Sequence, residues 1–249
     1  LHNAANAYKT IGNLNKAEEY YNKAVAIAPN DKKCLFNKSF VLLKKRKYRE
    51  GWDLYENRLD LDNLHLNAEI HSIIKDDLYH NNNFNNKNLK LSIISEQGVG
   101  DQILFSSMFG DLIKIYPNTS FFVDKRLIPI FKKSFKSKNF FSLTNKKLIE
   151  NKKKQKNNFL YMGSLGKFFR NKSNDFKIDS YLISNNKTKN KIKKKLSIFK
   201  NKIIIGISWK SYSKSLNKGD IKLESLKKVF GSDSYVFVNL QYRSLNKEI

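Results

Sequence analysis

Cysteine and long apolar runs are scarce in this sequence, and each scarcity excludes a class of protein. The lone cysteine, Cys34, excludes an internal disulfide and is typical of a reducing compartment. No apolar run reaches the roughly 18 residues of a membrane span, and the N-terminus lacks the basic-then-apolar pattern of a signal peptide. One cysteine and four histidines show no metal-ligand spacing. We therefore expect a cytoplasmic protein without a bound metal or cofactor.

Lysine supplies almost all of the positive charge. The formal net charge is +26, but arginine occurs at only six of the 48 basic positions. Proteins that bind nucleic acids usually combine basic residues with aromatic side chains or with arginines that bond through two nitrogens at once. The lysine runs "NKKKQKNN" and "KNKIKKK" contain no aromatic residue. We interpret them as solvated loops and helix faces and expect no nucleic-acid partner.

Residues 1–62 have the spacing of tetratricopeptide repeats. Small and aromatic residues recur over the first 31 positions, with a glycine at the turn and a proline after the second helix: Ala5, Tyr8, Gly12, Ala17, Tyr21, Ala24 and Pro29. A step of 34 residues, the period of this repeat, maps Ala17 to Gly51. The same step maps Tyr21 to Tyr55, which predicts a second, degraded copy. The alternative is a plain helical hairpin that caps the next domain.

After an Asn-rich linker at 63–88, a strand, a loop and a helix are predicted in a domain at 89–184. "LKLSIIS" is typical of a buried strand, "EQGVGD" follows it, and apolar residues then recur at helical spacing. "TSFFVD" and "FFSL" predict two further strands that alternate with helices, so we expect a parallel, Rossmann-like α/β sheet. The loop lacks the third glycine of a dinucleotide fingerprint and the Gly-Lys-Ser/Thr of a P-loop.

The loop residues Glu96, Gln97, Gly98 and Gly100 lead directly into Asp101. The two glycines permit positive φ and a close approach of the backbone to another group. A carboxylate at the start of a helix can accept a hydrogen bond from an orphan backbone amide, which makes Asp101 a natural N-cap. The helix dipole also favours an ionised carboxylate, which suits a general base. The residues alone leave both roles open for Asp101.

Residues 185–249 again show a strand pattern followed by a polar loop, which predicts a second, smaller α/β unit. "KIIIGIS" and "YVFVNLQY" are typical of strands, and a polar loop follows the first of them. Ser211, Lys214 and Lys218 lie in this loop, and their hydroxyl and ammonium groups suit a diphosphate. A solvated loop is the alternative, because lysine is abundant throughout the chain.

Three segments together resemble a known family. "GWDLYENRLD", "ISEQGVGDQILF" and "GISWKSYSKSLNKGD" are similar to bacterial tetratricopeptide-repeat proteins that carry a glycosyltransferase-like domain. That domain is related to the ADP-heptose:lipopolysaccharide heptosyltransferases and, more distantly, to O-linked N-acetylglucosamine transferase. The stretch 144–200 resembles the family only through "YMGSL". The resemblance implies a GT-B type architecture, in which two Rossmann-like lobes face a cleft, and transfer of a sugar from a nucleotide-sugar donor to a glycan or protein acceptor.

The resemblance also implies roles for individual residues. Asp101, preceded by Gly100, would be the catalytic base. The loop before it would face the donor and acceptor: Glu96, Gln97, Gly98 and Gly100. The donor diphosphate would be held by residues of the second lobe: Ser211, Lys214 and Lys218.

Two expectations limit this reading. The relatives continue beyond two strands in the second lobe, so we expect this chain to be an inactive fragment of an enzyme, truncated at both ends. The competing hypothesis is a non-catalytic scaffold in which the repeats bind a protein partner and the α/β part has no activity.

Overall fold

The structure is a computed structural model that describes residues 1–61, 67–79, 89–154, 158–209, 225 and 234–241. The chain forms two compact units, 1–183 and 184–249. The helical segment that starts the chain and the first parallel sheet both belong to the first unit. The three-part division expected from the sequence stays a prediction.

The chain begins with two helical hairpins. The first pairs α1 (His2–Thr10) with α2 (Leu14–Ile27), and the second pairs α3 (Lys32–Lys44) with α4 (Tyr48–Tyr55). Gly12 lies in the first turn at φ +81°, a conformation that glycine adopts without steric cost. The predicted helical start is therefore confirmed.

Two of the predicted repeat positions are buried in both hairpins. Ala17 and Tyr21 are fully buried in the first hairpin. The positions 34 residues later, Gly51 and Tyr55, are buried in the second hairpin. A methyl group at Gly51 would lie 2.8 Å from the side chain of Leu43, so the α3–α4 pair needs a residue without a side chain here.

A four-stranded parallel sheet follows in the first unit. Its strands are β1 (Leu91–Ile94), β2 (Ser120–Val123), β3 (Phe140–Ser142) and β4 (Asn158–Tyr161), in the order β3-β2-β1-β4. Ile93 of the central strand β1 lies opposite Phe121 of β2 and Leu160 of β4. The predicted parallel α/β sheet is confirmed.

Helices cover both faces of this sheet. The elements between the strands are α6 (Val99–Ser106), α7 (Phe109–Ile115), α8 (Ile128–Phe135) and α9 (Asn145–Lys154). Apolar residues of α6, α7 and α8 pack with Ile93 and Phe121 on one face. Leu148 of α9 packs with Ile94 and Phe122 on the opposite face. Alternate residues of each strand therefore enter different cores, as in a doubly wound sheet.

Part of the stretch that we expected to be a linker is folded. Helix α5 (Ala68–Ile74) lies within it, and Asn67 caps its first turn. Ile70 and Ile74 are buried in the same core as α9. This helix therefore covers a face of the sheet, although its sequence is too short for a clear helical period.

The first unit also includes the short helix α10 (Leu165–Phe169) after β4. The second unit contains α11 (Asn186–Leu196) and two parallel strands, β5 (Ile203–Ile207) and β6 (Tyr235–Asn239). Both strands were predicted from the sequence. The sequence "LESLKKVF" (223–230) predicts a short amphipathic helix, and this segment lies outside the described residues apart from Ser225.

Candidate functional site at the carboxyl edge of the sheet

The strand order creates a topological switch point between β1 and β4. The chain passes from β1 to β2 and β3 on one side, and then returns to place β4 on the other side of β1. Both strands run in the same direction, so the loops that follow them leave from the same edge. In open α/β sheets, ligands bind in the crevice outside this edge. The segment "EQGVGD" follows β1 and "MGS" follows β4, so both lie at this point.

A buried ion pair joins Glu96, the first residue of the loop after β1, to Arg58 of the 3-10 helix Glu56–Asp60. The Arg58 Nε and Nη2 atoms donate to Glu96 Oε2 and Oε1, each at 2.9 Å, and both side chains are fully buried. Arg58 Nη2 also donates to Ser164 Oγ at 2.9 Å. The backbone amide of Gly163 donates to Glu96 Oε1 at 2.6 Å. One carboxylate thus joins the helical hairpins, the β1 loop and the β4 loop.

We call Arg58 and the residues that bond to its guanidinium, Glu56, Glu96 and Ser164, the Arg58 cluster. Burial and the neighbouring charges act in opposite directions on the pKa of Arg58. Burial by itself would lower the pKa of Arg58, but the carboxylates of Glu96 and Glu56 raise it above its ordinary value. Burial raises the pKa of Tyr55 to about 12, so its hydroxyl stays protonated. The Tyr55 ring lies 4.4 Å from the Arg58 guanidinium, in a cation–π contact. The guanidinium is therefore held charged and fixed in orientation.

Gly163 makes the approach of the β4 loop possible. A methyl group at this position would lie 2.5 Å from Glu96 Oε1 and 3.0 Å from the Tyr55 ring. The absence of a side chain allows the Gly163 amide to reach the carboxylate.

The loop after β1 has its positive φ at a residue other than glycine. Among the described residues, Gly12 is the glycine with positive φ, and Gly98 has φ −81°. The left-handed residue of this loop is Gln97, at φ +62°. Its side-chain amide donates to the Tyr55 hydroxyl at 3.1 Å, which helps to hold this less favourable conformation. Gly98 and Gly100 therefore do not use the positive φ that glycine permits, and the adjacent Gln97 adopts it instead.

Asp101 lies in the first turn of α6, with Gly98 as the N-cap residue. The Asp101 carboxylate accepts a hydrogen bond from the Gly98 amide at 3.1 Å through Oδ2, and the side chain is half-buried. Asp101 therefore caps the start of α6, but it does so from the third helical position, one turn after the N-cap residue Gly98. The role as a general base stays a prediction.

The other predicted site residues have different surroundings. Glu96 is 4% exposed and both of its carboxylate oxygens accept hydrogen bonds from Arg58, so its proposed place facing the donor or acceptor stays a prediction. Gly98 and Gly100 are exposed at the start of α6. Ser211, Lys214 and Lys218 lie outside the described residues, so their proposed contact with a diphosphate stays a prediction.

Sequence reasoning assigned no role to several groups at this edge. Arg58 and Gly163 occur within segments that carried the family resemblance, but neither was given a function. The hydroxyl of Ser95, at the end of β1, is buried and has no hydrogen-bond partner among the described residues. Asp124 differs from these groups, because its position after β2 is that of a ribose-binding acid, a role for which the sequence lacks the third glycine of the dinucleotide fingerprint. Arg126 binds the Asp124 carboxylate through two nitrogens and lowers the pKa of Asp124 to about 2.

A cavity of about 430 Å³ lies in the first unit, and Glu96 is not among the residues that line it. Its wall includes residues of α4 and the 3-10 helix Glu56–Asp60, of α5, and of the segment after β4. Glu56 and Ser164 both line it, and both bond to Arg58.

One grouping of metal-ligand residue types occurs within the described ranges. Atoms of His2, Asp31 and Cys34 lie within 4.8 Å of one another. Asp31 caps α3 by accepting from the Cys34 amide at 3.0 Å, and burial raises the pKa of the Cys34 thiol. A protonated thiol is a poor metal ligand, and helix capping accounts for the position of Asp31. Our expectation that the chain holds no metal stays a prediction.

Comparison with known proteins identifies one part of the chain. The family model for the tetratricopeptide repeat matches residues 1–31, which correspond to α1, α2 and the turn that follows. No curated protein and no solved structure matches the chain. Within the part of the chain that the structure describes, every helix is too short or too polar to cross a membrane. The chain therefore contains a tetratricopeptide repeat joined to a parallel α/β sheet.

Proposed function

We propose that this chain belongs to a glycosyltransferase that transfers a sugar from a nucleotide-sugar donor to a glycan or protein acceptor. The observation that carries the proposal is the meeting of the β1 and β4 loops at the topological switch point, with Asp101 in the first turn of the helix that follows. Such a crevice is where doubly wound sheets bind nucleotide-like ligands.

Asp101 has the chemistry of a general base in this proposal. The acceptor hydroxyl gives its proton to the Asp101 carboxylate as its oxygen attacks the anomeric carbon of the donor. The bond from that carbon to the diphosphate oxygen breaks, and the nucleoside diphosphate leaves with the bonding electrons. The attack inverts the anomeric configuration and needs no metal ion. Ser211, Lys214 and Lys218 would then meet the negative charge on the diphosphate.

The Arg58–Glu96 pair would serve this reaction by positioning. Glu96 is adjacent to Gln97, and Gln97 precedes the N-cap of α6. A buried carboxylate with three donors cannot shift without leaving a charge unpaired. The network therefore supports a rigid geometry for the loop that leads to Asp101.

Donor binding tests this proposal. The protein is prepared as its gene encodes it, and calorimetry measures binding of ADP-, UDP- and GDP-sugars. We expect one of these nucleotides to bind, and Asp101→Asn to bind it equally well because a base does not hold the donor. Failure of all three nucleotides to bind would contradict the proposal.

A second candidate function is a protein-binding scaffold. The tetratricopeptide repeat at 1–31 is the observation that favours it, since such repeats commonly present surfaces to partners. Ile11 and Ile27 are large apolar residues of this segment that are 74% and 76% exposed. A scaffold predicts that Ile27→Ser abolishes partner capture in a cross-linking assay, whereas Asp101→Asn leaves it unchanged. Equal capture by wild type and Ile27→Ser would contradict it.

A further inference from the structure

A long part of the chain around α11 contains many lysines but no acidic residue. Between Asp179 and Asp220 the sequence has eleven lysines, no arginine, no aspartate and no glutamate. Eight of these lysines lie in residues 186–202, which we call the α11 segment. Within the part of the chain that the structure describes, none of the eight forms an ion pair. The positive charge of the α11 segment is therefore uncompensated.

Nearly all of α11 is exposed to solvent. None of its residues is buried, although an amphipathic helix of a globular protein usually buries an apolar stripe. The start of the helix is fixed by Asn185, whose side-chain oxygen accepts from the amides of Lys187 and Thr188 at 2.9 and 3.3 Å. The α11 segment therefore presents an ordered surface with side chains that another molecule can reach.

Apolar side chains lie among the lysines of this surface. Ile192 is 50% exposed, and Ile198, in the short 3-10 helix after α11, is 77% exposed. Leu196 lies four residues after Ile192 and therefore on the same side of the helix. Lys189 and Lys195 each lie three residues from Ile192, so the helix places one of them on either side of it. A narrow apolar stripe flanked by lysines is typical of helices that lie in a membrane interface.

Two kinds of partner offer a high density of negative charge: nucleic acids and bilayers with acidic headgroups. Proteins that bind nucleic acids read bases with arginine or stack them on aromatic rings. The α11 segment has no arginine, and its one aromatic residue is Phe199. A bilayer also takes up apolar side chains, so exposed isoleucines among lysines favour the bilayer over the nucleic acid.

We propose that the α11 segment binds the surface of a bilayer that contains anionic lipids. The lysine ammonium groups contact the acidic headgroups, and Ile192 and Ile198 enter the boundary between headgroups and acyl chains. Helices with clusters of about four to eight basic residues are typical of this kind of binding. The inference goes beyond the proposed glycosyl transfer and does not depend on it, because no residue of the switch point takes part.

Sedimentation of the full chain with lipid vesicles tests the inference. One set of vesicles contains phosphatidylcholine alone, and the other contains phosphatidylcholine and phosphatidylserine. We expect binding to the second set and little binding to the first, because only phosphatidylserine supplies net negative charge. We also expect the binding to weaken steeply as the salt concentration rises, because salt screens exposed charges.

Substitutions in the α11 segment identify the surface that binds. We expect Lys191→Gln and Lys195→Gln each to weaken binding to the mixed vesicles about fivefold. We expect Ile192→Ser to weaken it about three- to tenfold, because less apolar area then leaves water. The matched controls are Lys146→Gln and Lys153→Gln, which remove exposed lysines of α9 and should leave binding unchanged.

Three results would overturn the inference. The first is no binding to the mixed vesicles, and the second is an equal loss in the α9 controls, which would assign the binding to the net charge of the chain. The third is tighter binding of duplex DNA that Lys191→Gln weakens and Ile192→Ser does not, which would identify a nucleic-acid surface. Thermal unfolding of each variant monitors folding, and Ile192→Ala replaces Ile192→Ser if the serine variant unfolds, because alanine is the better helix former.

Discussion

Glu96 connects three parts of the sequence at a single carboxylate. Its oxygens accept hydrogen bonds from Arg58, 38 positions earlier, and from the amide of Gly163, 67 positions later. Both charged side chains are fully buried, so their mutual attraction and hydrogen bonds must offset the loss of hydration. The arrangement is intolerant of the loss of either partner.

Replacement of Glu96 by alanine is expected to destabilise the chain strongly. The change leaves the Arg58 charge buried without its partner, which costs about 3–5 kcal/mol. Chemical denaturation of Glu96→Ala, Arg58→Met and the double variant would measure this. We expect the double variant to be less destabilised than the sum of the two single variants, because neither charge is then left unpaired.

An exposed pair provides the control for this prediction. Arg126 and Asp124 are joined at 2.8 Å, but the Arg126 side chain is 64% exposed. Arg126→Met should cost less than about 1 kcal/mol, as for other surface ion pairs. Equal losses in Arg58→Met and Arg126→Met would contradict the structural role given to the buried pair.

Gly163→Ala is expected to destabilise the chain by about 1–3 kcal/mol, the usual cost of overpacking. The added methyl group would lie 2.5 Å from Glu96 Oε1, so the β4 loop or the carboxylate must move. Gly110→Ala in α7 is the matched control, since a methyl group there meets no atom within 4 Å. Because alanine is the better helix former, Gly110→Ala should stabilise the chain by up to about 1 kcal/mol. Thermal unfolding would detect a lower midpoint temperature for Gly163→Ala and a higher one for Gly110→Ala.

The sequence predicted the location of this site but not its contacts. The loop after β1 was identified from the two glycines and Asp101, because a strand followed by a helix start is a local pattern. The pairing of Arg58 with Glu96 depends on the packing of the helical hairpins against the sheet, which no local pattern reveals. The left-handed turn at Gln97 was also missed, because positive φ is rare outside glycine and here depends on a contact with Tyr55.

At the scale of elements, predictions succeeded where the hydrophobic pattern was long. The first three strands of the sheet and the two hairpins follow from apolar spacing. The elements α9 and β4 were missed, because α9 is dominated by lysine and asparagine and β4, "NFLY", begins within the polar run "NKKKQKNN". Their places are set by tertiary contacts: Leu148 of α9 and Phe159 of β4 are fully buried in one core.

Helix α7 is fastened to the segment after α10 through Asp111. Arg170 donates to its carboxylate at 3.0 Å, and Lys177 forms a second, short contact. Partial burial by itself would raise the pKa of Asp111, but the hydrogen bonds from Lys177 and Arg170 outweigh it and hold the pKa below the usual range. The folded state therefore binds a proton at this group less readily than the unfolded chain does.

This difference predicts a stability that depends on pH. The contribution of Asp111 is fully present above the unfolded pKa of about 3.9 and is lost as the pH falls through the lower folded value. We expect Asp111→Asn to lower the unfolding free energy by about 1 kcal/mol at pH 7, after allowance for solvent screening. Below about pH 4, the unfolding free energy of this variant should decline less than that of the wild type. Urea unfolding from pH 7 to pH 3 would measure both effects. An unchanged acid dependence would contradict this assignment.

At the scale of the whole molecule, the two units differ in burial. Ile93 and Ile94 of β1 are fully buried, whereas Ile203 and Ile204 of β5 are 60% and 40% exposed. A two-stranded sheet that the described residues cover only in part is marginally stable by itself. We expect amide hydrogens of β1 to exchange with solvent at the rate of global unfolding and those of β5 to exchange much faster. Equal protection in β1 and β5 would show that the second unit is as stable as the first.

The central claim concerns the chemistry at the switch point, and turnover of Asp101→Asn tests it most directly. Sugar transfer is measured with the protein as its gene encodes it, in wild type, in Asp101→Asn and in Asp124→Asn. Asp124 is the control because it follows the neighbouring strand β2 and its carboxylate is engaged by Arg126. We predict a loss of about 10²–10⁴-fold in Asp101→Asn, as for other general bases, and near-normal turnover in Asp124→Asn. Near-normal turnover in Asp101→Asn would remove this residue from the mechanism and contradict the account.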